Sequence, residues 1–153
     1  MGRTRKKPAR TEARKAAPQK ISYRSWVAPD FVEEVSTQIV RKLMIEKKYR
    51  DPNYSAQRLS DELGINPRQL SAVVGMRFQQ NYSKLVNDMR VHEAMYMLQD
   101  SHFEDMKMED VAVTVGFSTR QSFYTEFNRL SGMTPREYRI LHSRATGVAE
   151  GES

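Results

Sequence analysis

The chain contains no cysteine, which excludes disulfide staples and thiolate metal sites. No apolar run approaches the roughly 20 residues needed to span a bilayer. The first twenty residues hold no apolar stretch of signal-peptide type, so neither secretion nor a membrane anchor is supported. The histidines, His92, His102 and His142, lie far apart with no metal-ligand spacing, the acids are scattered, and no glycine loop of phosphate-cradling type is present. These absences leave catalysis, metal binding and a cofactor without residues to carry them. The expectation is a soluble cytoplasmic protein whose 153 residues form one compact domain or two small halves sharing a core.

Charge is plentiful but uneven. The formal net charge is +6, yet residues 1–20 alone hold eight cations (Arg3 to Lys20) against Glu12, a net +7, so the rest of the chain sums to −1. A basic pI therefore describes the tail rather than the body, and any positive surface on the body must come from how its charges are arranged. The tail, residues 1–22, combines Arg, Lys, Ala and Pro with almost no apolar content and is expected to be disordered.

A half-motif occurs twice. Leu59-Ser60-Asp61-Glu62-Leu63-Gly64-Ile65-Asn66-Pro67-Arg68-Gln69-Leu70 returns as Val111-Ala112-Val113-Thr114-Val115-Gly116-Phe117-Ser118-Thr119-Arg120-Gln121-Ser122-Phe123. Each copy reads as a short helix, a glycine turn with an apolar residue, a capping residue and a second helix. That is the pattern of a helix-turn-helix, whose second helix enters the DNA major groove.

The rest of the chain reads as helix too. Phe31, Val35, Ile39 and Leu43, with Val32 and Val40 beside them, mark a stripe over about 28–46, which Trp26 or Val27 could staple. Ser55 caps a helix over 56–63, Gly64 ends it, and Asn66 with Pro67 starts the next. Tyr82 to Gln99 is apolar on more than one stripe, as a connector packed on two sides would be; its eighteen residues give roughly 27 Å, comparable with the ~34 Å between successive major-groove faces. Thr134-Pro135-Arg136-Glu137 is a capping box opening a short last helix, and 143–153 looks like a frayed tail. No strand pattern emerges, so the expected fold is all-α: a tail (1–22), an N-terminal helix and turn (23–54), a double helix-turn-helix domain (55–142) and a disordered C-terminal tail (143–153).

Val115-Gly116-Phe117-Ser118, Gln121-Ser122-Phe123, Phe127, Gly132-Met133-Thr134-Pro135 and Glu137-Tyr138-Arg139 together resemble the signature of the AraC/XylS family of bacterial transcription regulators. Leu59, Leu63-Gly64, Leu70-Ser71, Arg90 and Ala94 fit the same pattern, so the resemblance covers about residues 55–140. It implies seven helices, two helix-turn-helix units on a rigid connecting helix, and the reading of two adjacent major-groove segments of double-stranded DNA, with RNA polymerase as a further partner. The sequence departs from the family at Val74-Gly75-Met76-Arg77-Phe78-Gln79-Gln80, where an aromatic followed by basic residues is usual. A glycine there costs about 1 kcal/mol of helix propensity and predicts a short first recognition helix, over 67–76. Residues 1–54 are too short and too polar for the separate effector domain many members carry, so no small-molecule effector is expected.

A recognition helix buries one stripe and offers the opposite one to base edges. In the helix over 119–130, Phe123 and Phe127 point inward, leaving Arg120, Gln121, Tyr124 and Thr125 for bases. Arg120 suits guanine O6 and N7, Gln121 adenine N6 and N7, and the Thr125 methyl thymine. These positions also match family base-contact positions. Their counterparts in the first unit are Arg68, Ser71 and Ala72. Phosphate contacts are expected from Arg77, Asn128, Arg129 and Arg136, the last in a helix's first turn where free N–H groups favour an anion. Arg90, amid apolar residues of the connector, reads as a structural bond between the halves. The methionines at 89, 95, 97, 106 and 108 read as adaptable core packing.

Two other classes compete. The helix over 28–46 could serve a protein–protein adaptor or the output module of a larger sensor, forming a homodimer through its apolar stripe. The basic tail could bind RNA, with similar affinity for single strands, whereas groove reading requires duplex DNA.

Overall fold

The computed structural model describes residues 28–152, with side chains through residue 143; the N-terminal tail and the Trp26–Val27 staple lie outside the described residues. Among the described residues there are seven α-helices and no strand: α1 Pro29–Val40, α2 Ala56–Leu63, α3 Pro67–Phe78, α4 Tyr82–Gln99, α5 Met108–Val115, α6 Arg120–Ser131 and α7 Pro135–Glu152.

Local chemistry sets most of the boundaries. Ser55 accepts the Arg58 N–H at 3.1 Å and opens α2. Asn66 and Gln69 cap α3 reciprocally, each side chain accepting from the other's backbone N–H, with Pro67 at the position where a missing N–H costs nothing. Thr134 and Glu137 do the same for α7. Helices α2, α5 and α6 end on Gly64, Gly116 and Gly132, all at positive φ.

Two expectations about helix length fail. Gly75 does not end α3, which runs to Phe78 and closes on Gln79 in the left-handed region; packing of its apolar face outweighs the propensity cost of one glycine. The last helix is long, and residues 143–152 continue it rather than forming a disordered tail. That stretch has no proline, and Arg144, Ala145 and Ala149 are good helix formers set against Gly147 and Gly151.

Two cores flank α4. Val32, Val35, Ile39 and Leu43 of α1 and its continuation join Leu59, Leu70, Val73 and Val74 in the first. Val111, Val115, Phe117, Phe123, Phe127 and Tyr138 form the second, with the rings of Phe117–Phe123, Phe123–Phe127 and Phe127–Tyr138 at 5.4–5.7 Å in tilted or edge-on pairs. The connector gives Leu85 and Val86 to the first core and Val91, Ala94, Met97 and Leu98 to the second, which explains its several apolar stripes. At about 1.5–3 kcal/mol per large buried side chain, this double anchorage makes α4 the rod that fixes one half against the other. Met97 is buried, and Met89, Met95, Met106 and Met108 pack against the cores as expected.

The stripe on α1 proposed as a dimer face is consumed within the chain: Val35, Ile39 and Leu43 are 5%, 0% and 0% exposed. Homodimerisation through that face is corrected accordingly, since the same side chains cannot fill the first core and a second copy's surface.

Candidate nucleic-acid interface

In the first unit the buried arc of α3 is wide. Leu70, Val73 and Val74 are joined by Ala72, 2% exposed. Ala72 was expected at base edges; it is instead a core residue, because α3 packs against α1 as well as α2 and α4 and needs apolar surface on more than one side. The exposed stripe is Arg68, Ser71 and Gly75, at i, i+3 and i+7. Gly75 has nothing within 4 Å of the position a Cβ would occupy.

In the second unit Thr119 caps α6, accepting the Ser122 N–H at 3.1 Å, and Phe123 and Phe127 are fully buried. The four expected base-reading residues divide into two groups. Gln121 and Thr125 are exposed and line a cleft between the halves. Arg120 lies over the half-buried Tyr124 ring, 5.0 Å from its centroid, donates to its hydroxyl at 3.3 Å, and stands 3.4 Å from Glu109. Both groups are on the solvent side of α6.

The cleft joins the units. One depression, beside α3, is lined by Pro67, Ser71, Asn81 and Ser83; a second, beside α6, by Ser118, Thr119, Gln121 and Thr125. Both include Pro52, Asn87 and Arg90, so Ser71 of α3 and Gln121 and Thr125 of α6 border adjoining depressions that together form a trough along α4, polar at the α6 end. Pro52, Asn81, Ser83 and Asn87 were not anticipated: they belong to a turn, a cap and the connector, and no periodicity singles them out.

Arg90 closes the floor of the trough. It donates to the Tyr49 carbonyl at 2.7 Å, the Asp51 carbonyl at 3.2 Å and Asn87 Oδ1 at 3.0 Å, with its guanidinium 5.7 Å from the Phe117 ring centroid. Burial pulls its pKa below the usual arginine value. This bears out the reading of Arg90 as a bond between the halves, though its partners lie in the 48–51 turn rather than in the second helix-turn-helix itself. Next to it, Glu93 accepts from the Tyr49 hydroxyl at 2.9 Å and Arg50 Nε at 3.0 Å. Burial raises the Tyr49 pKa to about 12, assisted by that carboxylate. Burial alone would raise Glu93 as well, but the hydrogen bonds from Arg50 and Tyr49 outweigh it and hold the carboxyl below its usual range.

Gly116 fits this seam as no other residue could. At φ +113 an added Cβ would lie 2.3 Å from the Tyr49 carbonyl oxygen, so the 48–51 turn is wedged into the turn of the second unit.

The expected phosphate contacts separate by partner. Asn128 and Arg136 are exposed, Arg136 in the first turn of α7. Arg77 pairs with Glu33 of α1 and reaches Ser36 at 3.4 Å. Arg129 pairs with Asp88 of α4 at 2.6 Å and with Glu126 at 2.9 Å. These last two tie the recognition helices to their neighbours.

No helix among the described residues is long and apolar enough to cross a membrane. No group of metal-ligating side chains occurs among them.

Residues 59–140 match the family described as a helix-turn-helix domain. The chain is 23% identical over 127 residues, 75% of its length, to an uncharacterised HTH-type transcriptional regulator, YtdP, of Bacillus subtilis. It is 25% identical over 83 residues to the melibiose operon regulatory protein of Escherichia coli K12. These matches span 16% and 26% of the two relatives, so the chain resembles a part of each. In structure it superposes on the C-terminal domain of AraT, a response regulator from Geobacillus stearothermophilus, with a TM-score of 0.61 at 20% identity, covering 75% of this chain and 87% of that one. The matched span contains both helix-turn-helix units and the rod between them, and the chain belongs to the AraC/XylS family of helix-turn-helix regulators.

Proposed function

We propose that the chain is a sequence-specific, double-stranded-DNA-binding transcription regulator that reads two adjacent major-groove segments with α3 and α6. The observation that supports this most is the trough along α4: Ser71 of α3 and Gln121 and Thr125 of α6 line its two adjoining depressions, which share Pro52, Asn87 and Arg90. A pair of helices so placed meets one face of a duplex, with the intervening backbone over Asn87 and Pro52.

Recognition is divided unequally. On α6, Gln121 and Thr125 face the trough, and Arg120 swings off Tyr124 and Glu109 to a guanine; its exposed pair with Glu109 is worth at most about 1 kcal/mol, less than the roughly 1–3 kcal/mol of a bidentate base contact. On α3 only Arg68 has reach, while Ser71 and Gly75 let the backbone approach. Asn128 and Arg136 suit phosphates. Arg77 and Arg129 serve first as positioning residues, through Glu33 and Asp88. The basic residues of 1–20 add sequence-independent affinity by counterion release. Control of transcription through RNA polymerase is part of the same proposal, and run-off transcription from a bound promoter reports it.

Selection of bound duplexes from a random pool tests the reading. The expected result is an enriched site for which Arg68→Ala, Arg120→Ala and Gln121→Ala each cost about 1–3 kcal/mol and relax one position. Failure to enrich any duplex, or equal binding of single strands, would overturn it.

A further inference from the structure

On the flank of α4 turned away from the trough lies a second concavity, a groove of about 640 Å³ lined by Met44, Met89, Tyr96, Met97 and Phe103, with Lys47 and Arg50 at its edge. Core packing accounts for Met89 and Met97 at its floor but not for the side chains at its rim. Met44 and Tyr96 are 54% and 66% exposed, and Ile45, next to Met44, is 72% exposed. Met76, Val113, Ile140 and Leu141 are exposed as well, but none of them lines this groove, where Met44 and Tyr96 stand together.

The backbone beside the groove is also irregular. Helix α1 passes into a π-helical turn, Arg41–Ile45, that carries Met44, and Lys47 follows at φ 54, the left-handed region, without being glycine. Such departures cost free energy. They turn the chain so that Met44 and Lys47 reach the same groove.

Charge decides the occupant. Glu93 is the only acid among the lining residues. Its carboxylate is already engaged by the Tyr49 hydroxyl, by Arg50 and, at 3.9 Å, by Lys47. The side chains of Lys47 and Arg50 remain 47% and 44% exposed, and the segment 41–50 that carries them holds five cations against the single acid Glu46. An apolar floor with a cationic edge repels the chain's own tail, which carries +7 over residues 1–20.

We infer that this groove is a docking site for an amphipathic helix of another protein or domain, bearing an apolar ridge flanked by Asp or Glu. Methionines suit such a role, because an unbranched thioether adapts to the ridge it meets. At 100° per residue along α4, the groove residues Met89, Glu93 and Tyr96 lie about a third of the circumference from the trough residues Ser83, Asn87 and Arg90. The helix and a DNA duplex therefore occupy the protein together, and the inference stands whether or not the DNA reading does.

The test uses the full chain labelled with ¹³C at the methionine methyls. It is titrated with a helical peptide of about 18 residues carrying Leu at i, i+3, i+4 and i+7 and Glu on its flanks, and with the same peptide bearing Lys for Glu. The Glu peptide should shift the Met44, Met89 and Met97 signals and leave Met133, in the second core, unmoved. The Lys peptide, and the Glu peptide on Met44→Ala or Tyr96→Ala protein, should bind about tenfold more weakly, the factor expected from two or three exposed ion pairs or one lost apolar anchor. Equal affinity for the two peptides, or no movement of those three methyls at millimolar peptide, overturns the inference. So do shifts that depend on protein concentration alone, which would assign the groove to a second copy of the chain.

Discussion

Gly116→Ala should damage this protein far more than the same change at its other helix-ending glycines. Gly64, Gly116 and Gly132 have φ of +71, +113 and +79, so a methyl group at any of them costs about 1–2 kcal/mol of backbone strain. At Gly64 and Gly132 nothing lies within 4 Å of the new carbon, and strain is the whole penalty. At Gly116 that carbon would sit 2.3 Å from the Tyr49 carbonyl oxygen, 2.8 Å from Arg90 Nε and 2.9 Å from Arg50 Cα. Ordinary contact is about 3.5 Å, so the 48–51 turn must retreat by roughly 1 Å. Overpacking of this kind costs about 1–3 kcal/mol. The retreat also stretches the bond from Arg90 to that carbonyl, worth about 1.5–3 kcal/mol when intact. Gly116→Ala should therefore lose about 3.5–8 kcal/mol, the three costs together, against about 1–2 kcal/mol at Gly64 or Gly132. Denaturant unfolding followed by circular dichroism measures all three. A loss at Gly116 within about 1 kcal/mol of that at Gly64, a margin near the scatter of strain costs, would refute the wedge.

Gly75→Ala should separate stability from binding: the helix gains about 0.5–1 kcal/mol, since the new methyl meets open space, while affinity for a selected duplex falls because the backbone can no longer sit as close to the groove. A variant that binds as tightly as the parent would remove Gly75 from the interface. Glu93→Gln should destabilise the protein at neutral pH and converge on the parent in acid. The folded carboxyl titrates below its usual 4.5, so its contribution is present above pH ~4.5 and disappears as pH falls through the folded value; a difference that persists unchanged at low pH would contradict this. Deleting residues 2–20 should weaken binding to all duplexes and flatten the dependence of affinity on salt, and an unchanged salt slope would show that the tail does not touch phosphate.

What could be read in the sequence was local chemistry. Ser55, Asn66 and the Thr134–Glu137 box are within a turn of the N–H groups they cap, so their spacing alone places helix starts, whereas α6, expected from Thr119, uses that residue as its cap and begins at Arg120. The double apolar character of α4 likewise follows from side chains in one continuous segment. The residues read less well are those whose surroundings come from far along the chain. Ala72 is buried because α1 covers a side of α3 that periodicity assigned to solvent. Arg77 and Arg129 find acids on other helices, Glu33 and Asp88, which no spacing rule anticipates. Gly116 was legible as a turn glycine, but the carbonyl that forbids a methyl there belongs to Tyr49, across the seam between the halves.

The central claim is that two recognition faces, held by one rod, meet neighbouring major-groove segments on the same side of a duplex. A spacing series tests it most directly. Starting from a selected site, base pairs are inserted between its two protected blocks, and affinity is followed by mobility shift. The account predicts blocks about 10–10.5 base pairs apart, one helical turn, and loss of specific binding when about five base pairs are added, because the second block then faces the opposite side. Binding that tolerates every insertion, or a site with a single block, would contradict it.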